Sequence, residues 1–469
     1  MPERVLLLGA GGKTGESYAR LLQSHGHHVL WYDKNPQQMP KNLDASLLTH
    51  VPHDALDMEL LRDEFTLLTL TPGVPLAQPF IAAARAAGKR VISEVAYTAP
   101  YLSGFRIIGI TGTDGKSTTT TLVAQILRAL GHAAIECGNF GIPLSEIALE
   151  KQRFEGKILA CELSSYQLEE PGELKLDAAV FLNLAPDHLN RYRSVEEYGL
   201  AKWNIAHRLR TGAPLIVADK LTEGKTPYWL GAHPLAAFQN PVLVVEDEKL
   251  VSPHFYFDGS WLVRSQSGKI ADIATSAIAG RHNYSNLLFA LEAVRALIGE
   301  LPADKLAVAL GSLRPLAHRF EVIPQKVFPQ ITFINDSKAT TTQATLTALK
   351  NTRAPVFIFL GGQGKGERYT ELGETLKNMG AHACIYGECK NDMAADFQAV
   401  GFTAFTLHEN LFKAFHTAKR MVMQRKYDQA TLLLSPAVTS WDQFKSFEER
   451  GDHFRALVES LDKGVSELP

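Results

Sequence analysis

The chain has 469 residues, 48 Lys+Arg against 50 Asp+Glu and 45% hydrophobic residues. That length holds about two to four domains with real cores, and the balanced charge gives no electrostatic case for nucleic acid or an anionic membrane as partner. Cys137, Cys161, Cys384 and Cys389 form no CxxC pair and read as reduced thiols of a cytoplasmic protein, and no apolar run approaches the ~20 residues of a membrane span.

Residues 1–104 read as a small α/β unit. The apolar run after Arg4 is too short for a signal sequence and is expected to form a first strand, Val5–Leu8. Gly9, Gly11 and Gly15 then turn into a helix ending near Gly26, and a second strand, Val29–Tyr32, ends at Asp33. Glycines followed by an acid about 20 residues on are similar to a dinucleotide fingerprint, but the spacing here is G-x-G-x-x-x-G. NAD, another nucleotide and a plain tight turn all remain open at this point. Phe65–Leu70 is expected to be a strand ending in Thr71, Pro72 and Gly73, a loop at a strand's carboxyl end where α/β sheets bind ligands. A helix (Ala77–Ala87), a strand (Arg90–Ser93) and a linker carrying Pro100 and Gly104 (Tyr97–Phe105) follow.

Residues 105–314 open with a strand at Ile107–Ile110, a turn of Thr111, Gly112, Thr113, Asp114 and Gly115, and a helix started by Lys116, Ser117 and Thr118. Strand, glycine loop, Lys-Ser and helix make a phosphate-binding loop. Backbone N–H groups and the helix N-terminus face the phosphates, Lys116 reaches the outer ones, and Ser117 can place its hydroxyl on Mg²⁺. The common G-x-x-x-x-G-K-[ST] spacing is missed by one residue, because Ile110 stands where the first glycine belongs. The bland alternative is a capping loop with no ligand.

Further on, Asn139 lies in the polar turn Cys137–Gly141. Ile158–Cys161 is a strand that delivers Glu162, placed for a Mg²⁺ carboxylate or for an ordinary cap or salt bridge. Asp177–Leu184 leads to Asp187 and His188. Ser194 and Glu197 suggest a capping box for a helix reaching Arg210, with Lys202 inside it as a solvated lysine. Residues 219–280 read as an insertion on the sheet edge, and Arg281-His282-Asn283 starts another helix.

In residues 315–469 three strands end in polar or glycine-rich loops. Ile331–Ile334 ends in Asn335-Asp336-Ser337-Lys338-Ala339-Thr340, Pro355–Leu360 in Gly361–Gly366, and Thr431–Leu434 in Ser435-Pro436-Ala437. In a parallel sheet such loops share one edge and can build one site. Lys365 lacks a following Ser/Thr, so it suits an anionic substrate better than a second phosphate loop.

The segments GITGTDGKSTTT, ELSSYQLE, DHLNRY, GRHNYSN, HRFE, NDSKAT, LGGQGKG and SPAVTSWDQFKSFEERG occur in this order. Together they resemble the Mur ligase family, most closely its D-glutamate-adding branch. The resemblance implies three α/β domains: a Rossmann-like UDP-substrate domain (1–104), a central P-loop ATPase with a mostly parallel sheet (105–314) and a Rossmann-like C-terminal amino-acid domain (315–469). It implies an ADP-forming amide ligase that uses ATP and two Mg²⁺ ions to add D-glutamate to UDP-N-acetylmuramoyl-L-alanine. The route is an acyl phosphate, and the product serves peptidoglycan synthesis. The protein is expected to be a cytoplasmic monomer.

By the same resemblance Lys116 contacts the terminal phosphates, Ser117 and Glu162 hold one Mg²⁺, and His188 helps hold a second metal or the transferring group. Lys202 matches a carbamylated, metal-facing lysine. Asn139 orients the muramoyl-alanine carboxylate, with Thr71, Pro72, Gly73 and Ser164 on the same substrate. Asn283, Arg319 and Asp336 match nucleotide contacts, and Thr340, Lys365, Ser440, Phe444 and Phe447 the D-glutamate pocket. Asp114 stands where the family has Asn, Pro186 where an acid is usual, Val438-Thr439 for Cys-Ala, and Trp441 for an aliphatic residue. Two other readings are a folylpolyglutamate-synthase-like ligase, which should lack the SxDQFKxFE segment, and an ATP-driven module that makes no bond.

Overall fold

Val5 and Leu7 of the first strand pack on one side of a sheet, and Leu6 and Leu8 on the other. A strand buried on both faces is the mark of a parallel sheet sandwiched between helices. Its members are β1 (Arg4–Leu8), β2 (His28–Tyr32), β3 (Leu48–His50), β4 (Leu67–Leu70) and β5 (Arg90–Ser93), in the order β3-β2-β1-β4-β5. Helix α1 (Gly12–Ser24) follows β1. The strand order reverses between β1 and β4, so the Gly9 and Thr71 loops meet there, and the Thr71 hydroxyl donates to the Gly9 carbonyl at 2.9 Å. The computed structural model describes residues 2–35, 40, 42–53, 56–57, 63–189, 191–222, 238–274, 276, 278, 281–352, 355–364, 366–425 and 427–462, without the side chains of residues 281 and 282.

The expected linker at Tyr97–Phe105 is instead mostly helical. A helix at Glu94–Thr98 runs into a 3-10 turn at Ala99–Leu102. Ser93 caps it by accepting from Ala96 N at 3.0 Å, and Val95, Ala99, Leu102 and Phe105 join the core of the next sheet. Pro100 suggested a break, but in the first turn of a helix proline removes no needed hydrogen bond.

The second sheet is β6 (Arg106–Thr111), β7 (Ala134–Gly138), β8 (Ile158–Glu162), β9 (Ala178–Phe181), β10 (Leu215–Ala218) and β11 (Val242–Val245). The order is β11-β10-β9-β6-β8-β7 and all pairs are parallel. Helix α2 (Lys116–Ala129) follows β6, and α3 (Val195–Trp203) lies between β9 and β10. The helix expected to reach Arg210 stops at Trp203, where Asn204 turns its amide to the Leu168 carbonyl at 2.8 Å. Its capping box is half made. Ser194 accepts from Glu197 N, but the Glu197 carboxylate takes the Arg193 N–H at 2.7 Å. The complete box is at Ser164 and Gln167.

The region expected as an edge insertion supplies β11, the outer strand of this sheet, and then an antiparallel meander of β12 (Phe255–Asp258), β13 (Trp261–Arg264) and β14 (Gly268–Asp272); residues 223–237 lie outside the described part. Helix α4 (Arg281–Ile298) carries the fully buried Glu292, which accepts from the Ser252 hydroxyl at 2.7 Å and His254 N at 2.9 Å and ties the meander to it. At the far end of this unit the Gln125 side chain of α2 grips the backbone of Arg314 at two points, 3.1 Å to its carbonyl and 2.8 Å from its N–H.

The chain divides into two compact units, Met1–Arg314 and Pro315–Pro469. The second holds β15 (Glu321–Ile323), β16 (Ile331–Asn335), β17 (Val356–Gly361), β18 (His382–Tyr386), β19 (Phe405–Leu407) and β20 (Ala430–Leu434), in the order β15-β16-β20-β17-β18-β19. Only β15 among these runs antiparallel. The loops after β16, β20 and β17 are therefore neighbours on one edge. Helix α5 (Phe447–Asp462) closes the described chain. All four cysteines are free and buried, and no described helix is long and apolar enough to cross a membrane.

Candidate active site

The phosphate loop is held from outside as well as by its own turn. Gly115 caps α2 at φ +80°, and a Cβ there would run into the Asn286 amide, so only glycine fits. Asn183, past the end of β9, accepts from Thr113 N at 3.0 Å and Asp114 N at 2.9 Å and donates to the Asp114 carbonyl at 3.1 Å. Thr113 accepts from Ala185 N at 3.0 Å. Lys116 folds over this loop and donates to the carbonyls of Gly112 at 2.9 Å and Thr113 at 2.5 Å. Ser117 is buried, Thr118 is half-buried beside it, and Asp114 is exposed.

Lys202 is not a solvated lysine. It is 1% exposed, its Nζ donates to the Gly112 carbonyl at 2.7 Å, and it lies 4.5 Å from the centre of the Tyr198 ring, one turn back on α3. Burial first, and then the Lys116 charge, push its amine down to about 6 against the pull of Asp187, Glu162 and Asp114. It is therefore mostly neutral at neutral pH.

Glu162 ends β8 fully inside the protein. One carboxylate oxygen accepts from the Asn139 amide at 2.7 Å, while Oε2 is buried with no hydrogen-bond partner among the described residues. An ionised carboxylate oxygen left dry and unpaired is costly, which makes it a natural ligand for a cation. Among the described residues no three His, Cys, Asp or Glu side chains are grouped as a ready metal site.

His188 stands on a left-handed backbone at φ +55°, held by its N–H on Asp187 at 2.8 Å. Its Nδ1 meets the Tyr166 hydroxyl at 3.0 Å and its Nε2 lies 3.5 Å from Asp187. Desolvation lowers its pKa, so the ring is neutral at physiological pH. Ser164 caps the helix that carries Tyr166.

A cavity of about 280 Å³ opens where β1, β2 and β4 end, lined by Gly9, Gly11, Asp33, Lys34, Thr71 and Gly73 among others. Asp33 takes the Gly11 N–H at 2.8 Å and so shapes the glycine loop. Pro72, half-buried, turns its carbonyl to Arg191 at 3.0 Å.

In the second unit Asp336 accepts from the Ser435 hydroxyl at 2.9 Å and Phe320 N at 3.0 Å. Burial raises it to about 6 despite the nearby Arg319. Ser440 is buried, and its carbonyl accepts from Phe444 N at 2.8 Å. Phe447 starts α5 with Lys338 Nζ 5.7 Å over its ring, and Thr340 N donates to the Lys338 carbonyl at 2.8 Å. Arg450 is fully buried and joins the three loops. It donates to the Ser337 hydroxyl at 3.0 Å and to the carbonyls of Ser337 at 2.9 Å, Val438 at 3.1 Å and Gly361 at 3.4 Å. Trp441 is 60% exposed. Lys365 lies outside the described residues.

The first unit thus brings Lys116, Lys202 and Thr113 around one loop, and pairs Asn139 with Glu162. Asn283 sits in the first turn of α4, three positions before the Asn286 that abuts Gly115. Sequence reasoning passed over Asn183, Tyr198, Arg191 and Arg450. Tyr198 left a signal in the four-residue step to Lys202, and Arg191 and Arg450 stand inside the DHLNRY and SPAVTSWDQFKSFEERG segments.

A family description of the Mur ligase middle domain matches residues 110–294. A UDP-N-acetylmuramoylalanine–D-glutamate ligase from Gloeothece citriformis is 32% identical, over 96% of this chain and 98% of its own length. The chain belongs to the Mur ligase family. As a Mur ligase it is an ATP-dependent ligase. The fold agrees. A UDP-N-acetylmuramate-alanine ligase from Thermotoga maritima superposes with a TM-score of 0.54 over 98% of this chain and 100% of its own at 16% identity. A folylpolyglutamate synthase from Mycobacterium tuberculosis, solved with ADP and AMPPCP, gives 0.55 over 76% of this chain and 92% of its own at 14% identity, a likeness of fold alone.

Proposed function

We propose that this Mur ligase joins D-glutamate to UDP-N-acetylmuramoyl-L-alanine, with ATP cleaved to ADP and phosphate. The observation that carries the reading is the phosphate loop itself, with Lys116 and the buried, mostly neutral Lys202 on one carbonyl of it. The relatives supply the substrate names: the matched ligases are D-glutamate ligases at full length. A carboxylate is a poor acyl donor, so its oxygen first takes the γ-phosphoryl group of ATP, releasing ADP. The D-glutamate amine then attacks the acyl carbon, phosphate leaves, and the amine proton passes to solvent. Such chemistry depends mostly on positioning and charge neutralisation.

Three domains share the work in this reading, 1–104, 105–314 and 315–469. Thr71, Pro72, Gly73, Asn139 and Ser164 receive the UDP substrate. Gly112–Thr118 wrap the phosphates, with Asn283, Arg319 and Asp336 on the rest of the nucleotide. Thr340, Lys365, Ser440, Phe444 and Phe447 receive D-glutamate, the lysine having the right charge for its side-chain carboxylate. Ser117 and the unpaired oxygen of Glu162 would hold Mg²⁺, with His188 and Lys202 facing a second ion. Bound Mg²⁺ supplies positive charge to the phosphate oxygens. Lys202 fits a carbamate, because a neutral amine can add CO₂ and lose a proton to become an anion. The protein acts in the cytoplasm as a monomer.

The test is phosphate release by the purified protein with ATP and Mg²⁺. It should require UDP-N-acetylmuramoyl-L-alanine and D-glutamate together. Equal release with L-alanine or lysine as the amine would sink the assignment.

A further inference from the structure

The Arg191 side chain is 8% exposed and reaches across the first unit. Its guanidinium forks onto Glu169, with Nε at 2.8 Å from one oxygen and Nη2 at 2.6 Å from the other. The same group donates to the loop after β4, at 3.0 Å to the Pro72 carbonyl and 3.4 Å to the Val74 carbonyl. Its Cζ also lies over the Tyr166 ring, 3.9 Å from the ring centre. The Tyr166 hydroxyl then contacts His188 Nδ1 at 3.0 Å. Tyr192 supports the fork by donating to Glu169 at 2.7 Å.

We infer that Arg191 and Tyr166 are positioning residues that couple the Thr71–Val74 loop, on the rim of the cavity of the first sheet, to the imidazole of His188. This rests on the proposed function, in which that loop receives the UDP substrate and His188 faces the transferring group. The physical reasoning is direct. A buried guanidinium keeps its full set of partners or loses several kcal/mol, so a displacement of residues 72–74 must move Arg191 or break its bonds. Tyr166 is stacked on that guanidinium and moves with it. Its hydroxyl fixes the rotation of the His188 ring whichever of the two carries the shared proton, and leaves Nε2 on the side of Asp187, 3.5 Å from its carboxylate. The left-handed backbone of His188 gives the ring few alternatives. Substrate seated against the loop therefore sets the imidazole.

The test uses the full chain with ATP, Mg²⁺, UDP-N-acetylmuramoyl-L-alanine and D-glutamate. Tyr166→Phe removes only the hydroxyl and keeps the stack. It should lower kcat about tenfold, the scale on which partners of a working imidazole act, while KM and the calorimetric Kd for the UDP substrate stay within about twofold. Arg191→Lys keeps a charge but loses the fork and the stack. It should lower kcat at least as much and raise the KM for the UDP substrate. The double variant should be no worse than Arg191→Lys, because both break one path. Wild-type kcat in Tyr166→Phe would overturn the inference, as would effects that multiply in the double variant. If Arg191→Lys fails to fold, the Tyr166→Phe result decides. A wild-type protein with no D-glutamate-dependent turnover would remove the proposed function and the inference with it; an active wild type with unchanged variants removes the inference alone.

Discussion

Lys116 and Lys202 donate to the same atom, the Gly112 carbonyl oxygen, at 2.9 and 2.7 Å. Two ammonium groups that close repel, and one way to relieve the repulsion is for the buried one to give up its proton. Lys202 is the buried one, and its amine is pushed down to about 6.

This has a measurable sign. Between about pH 6 and the ordinary lysine value the unfolded chain carries a proton that folded Lys202 lacks. The penalty is therefore greatest at or below pH 6 and shrinks as pH rises, by about 1.4 kcal/mol per pH unit while one proton separates the states. Lys202→Met should raise Tm at pH 6.5 in CO₂-free buffer, and the gain should shrink toward pH 9.5. An equal gain at both values would mean that Lys202 keeps its proton when folded.

Lys116→Ala should cut turnover by at least about a hundredfold, the scale of losing one charge-stabilising donor. Lys116 is only half-buried, so Tm should hardly change. Steady-state kinetics beside thermal unfolding checks both, and a variant that still turns over would take Lys116 out of the chemistry.

Glu162→Gln keeps the size of the side chain and removes its charge. The Mg²⁺ concentration for half-maximal turnover should rise about tenfold or more, because the unpaired oxygen loses its ionic character. A Mg²⁺ titration that superposes on the wild type would exclude Glu162 as a ligand.

Asn183→Ala removes three side-chain hydrogen bonds to the phosphate loop and leaves the Asp114 N–H to find another partner, while Thr113 N keeps the Asn183 backbone carbonyl at 3.1 Å. About 1–3 kcal/mol of loop stability is at stake, so the Kd for ATP measured by calorimetry should weaken roughly tenfold. An unchanged Kd would show that the loop holds its shape without the clamp.

Arg450→Met should lower Tm by leaving buried carbonyls of three loops unpaired, at about 1–3 kcal/mol or more. Since those loops are proposed to receive D-glutamate, its KM should rise while the Kd for ATP in the absence of D-glutamate stays near wild type. A normal KM for D-glutamate would confine Arg450 to stability.

What the sequence made legible was whatever a short stretch of chain decides for itself. Ile107–Ile110 and Val356–Leu360 show as apolar runs because their strands are buried on both faces, and the loops beyond them show by their glycines. The limit is reached where burial is set by a distant partner. Nothing around Lys202 announces that its head lies against Gly112, and Arg191 meets Pro72 across 119 residues of chain. The segment Tyr97–Leu102 misled for a different reason. Its proline marks a break only when neighbouring positions are free to leave the core, and Val95, Ala99 and Leu102 are not.

The grip of Gln125 on Arg314 gives helix α2 a second duty. A helix is stiff, and residues 116 and 125 are about 14 Å apart along it at 1.5 Å per residue. Its first turn carries Lys116 and Ser117, and Gln125 further along holds the backbone of the last residue of the first unit. The helix is thus a strut between the Gly112–Gly115 loop at one end and the backbone of residue 314 at the other.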